Sequence, residues 1–155
     1  MSGAKWGAGF SAVGRFVAEI ETAAAGKESL RAGYVLAGDE IFLYDRCRAS
    51  VLKSFVPEEL RDFCLSDLDL AQTNIFEVLD RAQTPSLMAP FQAIFVRNLR
   101  SLYTRGSKKE EFAAIDRYFR SPNPQALLIF VADFVHIPSD LRRMELDDKN
   151  RFELI

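Results

Sequence analysis

Residues 33–40 read Gly-Tyr-Val-Leu-Ala-Gly-Asp-Glu, and this stretch decides the fold class. Its apolar run, which begins at Ala32 and ends at Ala37, has the length of a buried strand, and Gly38 stops it. The residues after this turn follow a helical period as far as Pro57. The helix face that we expect to be buried consists of Ile41, Tyr44, Cys47, Val51, Leu52 and Phe55. A buried strand that turns tightly into an amphipathic helix is typical of a parallel α/β sheet.

The same alternation extends along the rest of the chain. Before the first strand lies a helical face that Gly26 ends, made of Phe10, Val13, Phe16, Val17, Ile20 and Ala24. Later strands are predicted around Phe63 and Leu65, at residues 92–96 and at residues 127–131. The helices between and after these strands are marked by Ile75, Phe76, Leu79 and Ala82, by Phe112, Ile115, Tyr118 and Phe119, and by residues 141–144; residues 151–155 also fit the middle of a helix. The order β-α-β-α-β-α-β-α after the first helix predicts an α/β fold, with a mostly parallel sheet and helices on both faces.

Composition and charge limit the classes of function. The chain has 155 residues, of which 48% are hydrophobic and 27% charged, as expected of one globular domain with a sizeable core. Its formal net charge is −2, whereas a domain that binds nucleic-acid phosphates is usually basic. Direct DNA binding is therefore not expected.

Cysteines and hydropathy predict the compartment. Cys47 and Cys64 lack the spacing of a metal site, and we expect both to be buried thiols, Cys64 within a strand. The longest apolar run, residues 126–132, is too short to cross a membrane. These features predict a cytoplasmic protein without a membrane partner.

The turn Gly38-Asp39-Glu40 lies where many α/β proteins bind phosphate. A phosphate-binding loop needs converging glycines, a lysine for the outer phosphates and a Ser or Thr for magnesium. This turn has no lysine and carries two acids, which repel phosphate but cap a helix N-terminus well. We interpret it as a helix cap and expect no nucleotide cofactor.

A metal site and a catalytic site are not expected either. The predicted strand at residues 92–96 is followed by Arg97-Asn98, where a nucleotide hydrolase would place its magnesium-binding acids. Asp133 is a single carboxylate after the next strand. The one histidine, His136, has no neighbouring Ser or Cys that would suggest a catalytic triad.

Residues 83–91, Gln-Thr-Pro-Ser-Leu-Met-Ala-Pro-Phe, form an unusually apolar loop. Two prolines prevent a regular helix, yet the loop carries Leu87, Met88 and Phe91. Large apolar side chains in a loop either pack into the core or project towards a partner. The pattern alone leaves both alternatives open and slightly favours the core.

Three segments resemble a known family. Residues 33–40, together with Ile-Phe-Val-Arg-Asn at 94–98 and Leu-Leu-Ile-Phe at 127–130, resemble the delta subunit of the bacterial DNA polymerase III clamp loader in order and separation. The resemblance covers residues 30–155 and implies a P-loop NTPase (AAA+)-like domain without a working nucleotide site. It also implies a clamp-binding element of the form Gln-x-x-Ser-Leu-Phe after the third helix. The matching residues are Gln83, Ser86, Leu87 and Met88, with Met in the place of Phe.

The resemblance also implies partners and boundaries. Family members wedge two apolar residues into the sliding clamp (beta) and open it, and they contact DNA only indirectly. They are non-catalytic parts of a DNA polymerase (nucleotidyltransferase) complex and join other clamp-loader subunits through later domains. We therefore expect an N-terminal helical segment at 1–29 and a clamp-binding domain at 30–155, truncated at its C-terminal end. Its sheet should be one strand short, which leaves residues 34–37 at an exposed edge.

Two other hypotheses remain. The chain could be a small nucleotide-binding enzyme with an atypical phosphate loop, against which the missing lysine and acids count. It could instead contact DNA through the predicted exposed connection at residues 97–109, which contains Arg100, Arg105, Lys108 and Lys109. Glu110 and Glu111 follow at once, and mixed charges of this kind usually face water.

Overall fold

The computed structural model describes residues 2–26, 30–38, 40–102, 109–132 and 151–153, with the backbone alone at 2–9, 100, 132 and 151–153. Its helices and strands are, in chain order, α1 (Ser2–Ala24), β1 (Gly33–Ala37), α2 (Ile41–Phe55), α3 (Arg61–Cys64), β2 (Leu65–Asp69), α4 (Ile75–Gln83), β3 (Gln92–Arg97), α5 (Lys109–Arg120), β4 (Ala126–Ala132) and β5 (Arg151–Glu153). Short 3-10 turns lie at Glu58–Leu60 and Leu99–Leu102.

The described strands form one parallel sheet in the order β2-β3-β4-β1-β5. Successive side chains of a strand point to opposite faces, so each strand contributes to two cores. In β1, Tyr34 packs with residues of α1 and α2, whereas Val35 packs with residues of α4 and α5. The predicted α/β fold, with a parallel sheet covered on both faces, is confirmed.

α1 is part of this packing. Its Phe16 and Ile20 are fully buried, and the Phe16 ring meets Tyr34 edge-to-face with 5.4 Å between centroids. The predicted end of this helix is confirmed, since Gly26 has a φ of 77°, a conformation that favours glycine. None of the helices in the described residues combines the length and apolar character that crossing a membrane requires.

The expectation of a sheet that lacks a strand and exposes β1 at its edge is wrong. Residues 151–153, which we expected inside a helix, form β5 and pair with Val35–Ala37. β1 is therefore flanked by β4 on one side and β5 on the other. Three residues, Arg-Phe-Glu, are too few to show a strand pattern in the sequence, whereas pairing with β1 satisfies their backbone polar groups.

One further expectation fails, and another fails at a single residue. Phe63 and Cys64 belong to the short helix α3 and not to a strand, and β2 begins only at Leu65. The predicted buried face of α2 is confirmed except at its first residue. Cys47 and Val51 are buried, and the same core is packed against by the partly buried Tyr44, Leu52 and Phe55. Ile41 is 71% exposed, and Leu43 of the same turn is buried in its place.

The segment after β3 differs in part from the predicted exposed connection. Leu99 and Leu102 of the 3-10 turn are buried, although Arg97 and Lys109 are exposed. Arg105, Lys108, Asp133, His136 and the predicted helix at 141–144 lie outside the described residues.

Candidate functional site

The two segments singled out in the sequence lie at opposite ends of the parallel strands, the carboxyl edge and the amino edge of the sheet. The turn at residues 38–40 follows the carboxyl end of β1, whereas the loop at residues 84–91 precedes the amino end of β3. Because β1 and β3 both pair in parallel with β4, these ends face opposite directions. A five-residue strand is roughly 17 Å long, so the segments cannot form one site.

At the carboxyl edge, the turn caps α2 as the sequence indicates. The Glu40 carboxylate accepts a hydrogen bond from the Phe42 N–H at 3.4 Å. Gly38 has a φ of 133°, which a residue with a side chain rarely adopts. Asp39 lies outside the described residues. A carboxylate thus occupies the helix N-terminus, the place where a phosphate would bind.

The end of β3 carries a cation and an amide at this carboxyl edge. Arg97 and Asn98 are exposed, and the Asn98 amide donates to the Asp69 carboxylate. This bond, with a second one from the Ala71 N–H, lowers the pKa of Asp69. Within the described ranges, no three His, Cys, Asp or Glu side chains group closely enough to hold a metal ion.

The loop at the amino edge exposes two large apolar side chains. Leu87 is 98% exposed and Met88 is 59% exposed, so the interpretation that they pack into the core is wrong. Phe91 behaves differently, because it is partly buried and its ring stacks on Phe55 with 4.9 Å between centroids. The loop is therefore anchored by one aromatic residue and projects the two aliphatic ones into solvent.

The start of the loop is fixed by side chains that satisfy the carbonyls at the end of α4. The last carbonyls of a helix have no partner within the helix. Gln92, whose side chain is buried, donates to the Arg81 carbonyl at 3.1 Å and to the Thr84 carbonyl at 2.9 Å. Asn123, between α5 and β4, donates to the Ala82 carbonyl at 2.9 Å.

Ser86 fixes the middle of the loop. Its hydroxyl accepts from the N–H groups of Met88 and Ala89, at 3.3 and 3.2 Å. It also donates to the Phe63 carbonyl of α3 at 3.5 Å. These three bonds use the one donor and two acceptor positions of a hydroxyl, so Ser86 orders the loop and joins it to α3.

Gln83 is the last residue of α4 and is exposed. It lines a groove of about 190 Å³ between α4 and α5, together with Phe76, Leu79, Asp80, Ala114, Arg117 and Tyr118. The four residues of the predicted element thus have three roles in the structure. Gln83 borders a groove, Ser86 shapes the loop, and Leu87 and Met88 present apolar surface.

Sequence reasoning missed two contributors to this site. Gln92 looked like the first residue of a buried strand, and nothing in the pattern showed that its amide would cap α4. Phe63, which is 50% exposed, looked like an inward-facing strand residue. The charged run Glu58-Glu59, followed by Arg61-Asp62, was the available signal that Phe63 lies in a surface turn.

Comparisons of the sequence with known proteins point to one family. A family model described as DNA polymerase III, delta subunit, matches residues 34–146. The DNA polymerase III subunit delta of Bacillus subtilis (strain 168) is 26% identical over 106 residues, which cover 65% of this chain and 30% of that protein.

Solved structures show the same fold. The Bacillus subtilis DNA clamp loader delta protein matches 89% of this chain with a TM-score of 0.69 and 23% identity. A protein of Thermotoga maritima related to the DNA polymerase III gamma subunit matches 87% of it with a TM-score of 0.51 and 11% identity. The chain covers 41% and 44% of these two structures, so it spans less than half the length of the relatives it matches.

Proposed function

Since the chain belongs to the DNA polymerase III delta subunit family, we propose that it binds the DNA polymerase sliding clamp through Leu87 and Met88 and helps to open it. The observation that carries this proposal is the almost complete exposure of Leu87 on a loop whose backbone is held in place. A fully exposed leucine does not stabilise the fold by burial, whereas a partner that covers it removes its apolar surface from water.

The energetics favour two apolar anchors. Burying each side chain in a pocket contributes roughly 1.5–3 kcal/mol, and a few such anchors usually dominate an interface. The hydrogen bonds of Ser86 and Gln92 order the loop before binding, which lowers the entropic cost of association. Met88 replaces an aromatic residue of the family element, and its flexible thioether side chain adapts to an apolar pocket.

The proposal separates clamp binding, which it assigns to this chain, from ATP hydrolysis. We assign no ATP hydrolysis to this chain, because Glu40 caps the helix that would otherwise receive a phosphate. The same observation argues against a nucleotide-binding enzyme with an atypical loop. Residues 30–155 would act as the clamp-binding domain and residues 1–29 as a helical support, in the cytoplasm. Contacts with the other clamp-loader subunits would involve regions that the longer relatives possess.

A titration with the purified clamp tests this proposal. We expect saturable binding by the wild-type chain, at least tenfold weaker binding by Leu87→Ser, and unchanged binding by the control Ile41→Ser. Ile41 is 71% exposed in the first turn of α2, at the opposite edge of the sheet, so the control alters a comparable side chain elsewhere. Equal affinities of the wild-type chain and Leu87→Ser, or no binding by the wild-type chain, would refute it.

A further inference from the structure

We propose that Phe63 is a third apolar contact with the sliding clamp, and that the clamp-binding surface extends from the loop onto α3. This inference rests on the proposed function.

Phe63 is joined to the loop through its backbone. The Ser86 hydroxyl that accepts from the Met88 N–H also donates to the Phe63 carbonyl. One hydroxyl therefore connects Phe63 to Met88 and Ala89 of the loop. Leu87 lies directly between Ser86 and Met88, so the three apolar side chains arise from backbone that is held together at a single point.

The position of α3 is fixed by the residues at its end and in the strand that follows. Cys64, the next residue, is only 2% exposed and packs in the core on the α1 and α2 side of the sheet. The chain then enters β2, which pairs with β3 along five residues. Because the loop leads into β3 and α3 leads into β2, two adjacent strands place Phe63 and the loop at the same edge of the sheet.

Phe63 is half-exposed in a short surface helix. Its neighbours Arg61 and Asp62 are charged and exposed, as surface residues of a short helix usually are. Single exposed apolar side chains are common and need no explanation. Phe63 differs because it is half-exposed and is hydrogen-bonded through its carbonyl to the loop in which Leu87 is 98% and Met88 59% exposed.

The clamp is the occupant that this arrangement fits, because Phe63 is hydrogen-bonded to the proposed clamp-binding loop and precedes the strand that pairs with β3. Glu58, Glu59, Arg61 and Asp62 provide exposed charged residues next to the apolar centre. An apolar centre with a polar, solvated rim is the usual composition of a specific protein interface. An aromatic anchor beside two aliphatic ones is also typical of the residues that contribute most to binding.

The test compares Phe63→Ala with Phe42→Ala in clamp titrations. Phe42 is 55% exposed, close to the 50% of Phe63, but it lies in the first turn of α2 at the opposite edge of the sheet. We expect Phe63→Ala to weaken clamp binding about 5- to 20-fold, mainly through faster dissociation, and Phe42→Ala to bind as the wild-type chain does.

A second variant distinguishes the loss of a clamp contact from a loss of folding stability. Phe63→Gln keeps a long side chain with good helix propensity, so it should retain the melting temperature while binding as weakly as Phe63→Ala. If the wild-type chain binds the clamp and Leu87→Ser does not, but both Phe63 variants bind like Phe42→Ala, this inference fails and the proposed function stands. If the wild-type chain itself does not bind, the proposed function fails.

Discussion

The side-chain amide of Gln92 donates a hydrogen bond to the carbonyl oxygen of Thr84 at 2.9 Å. Gln92 begins β3 and Thr84 is the C-cap residue that follows α4, so this bond closes the base of the loop that carries Leu87 and Met88. The second N–H of the same amide reaches the Arg81 carbonyl at 3.1 Å. One buried side chain therefore completes the end of a helix and sets the span of the exposed loop.

Gln92→Ala should destabilise the fold by about 1–3 kcal/mol, because it removes the side-chain donor to the Thr84 carbonyl and one of the two donors to the Arg81 carbonyl. Urea unfolding measures this change. The control Gln72→Ala removes an exposed glutamine from the turn after β2 and should leave the free energy of unfolding within about 0.5 kcal/mol of the wild-type value. Equal stabilities of the two variants would contradict the role given to Gln92.

Gly33→Ala and Gly14→Ala should shift stability in opposite directions. A Cβ at Gly33 would lie 2.7 Å from the ring of Phe119, which is confined by Tyr118 and Phe130, so overpacking should cost about 1–3 kcal/mol. A Cβ at Gly14 meets no other heavy atom within 4 Å, and alanine in an exposed helix is better than glycine by roughly 1 kcal/mol. Thermal unfolding of both variants checks the signs; a Gly33→Ala variant as stable as the wild-type chain would show that the ring moves freely.

Part of the fold could be predicted from local sequence patterns alone. The parallel sheet could be predicted because buried strands and amphipathic helices alternate regularly, and each element carries its own period and its own stop signal. Gly26 ended α1 as expected, and Glu40 capped α2. Local patterns determine such features, so the sequence is enough to predict them.

The remaining features depend on contacts between distant segments. The exposure of Leu87 and Met88 could not be predicted from the loop sequence alone, since apolar residues between two prolines can pack into the core or contact a partner. It follows from the bonds of Ser86 to Phe63 and of Gln92 to Thr84, which hold the loop outward. β5 was missed for the same reason, because three residues form a strand only where β1 offers them an unpaired edge.

Mg²⁺-ATP should neither bind nor stabilise the chain. The Glu40 carboxylate lies at the N-terminus of α2, and the turn 38–40 supplies no lysine to offset the charge of a triphosphate. Isothermal calorimetry should show no heat of binding, and thermal unfolding should be unchanged, whereas a genuine P-loop ATPase in the same buffer responds in both. A dissociation constant in the micromolar range would contradict this prediction.

Stability should fall in alkaline solution, partly because of Cys47. Burial raises the pKa of this thiol from 9.0 to about 12. The unfolded chain therefore loses the proton near pH 9 while the folded chain keeps it, so the contribution is complete below pH 9 and is lost as the pH rises towards 12. Burial raises the pKa of Tyr34 and acts in the same direction.

Urea unfolding midpoints between pH 8 and pH 11, measured under reducing conditions, check this expectation. The midpoint should decrease across the range, and Cys47→Ala should decrease less steeply than the wild-type chain, whatever its stability at pH 8. Parallel slopes for the two proteins would exclude Cys47 as a source of the pH dependence.

The most direct test of the central claim is one double variant, Leu87→Ala with Met88→Ala, measured for both clamp affinity and stability. The clamp affinity should fall by about two orders of magnitude or more, because two anchors worth roughly 1.5–3 kcal/mol each are truncated. The free energy of unfolding should change by less than about 0.5 kcal/mol, because both side chains are exposed in the free chain. Met88→Phe, the matched control, should bind equally well or more tightly. A large loss of stability with unchanged clamp affinity would contradict the claim.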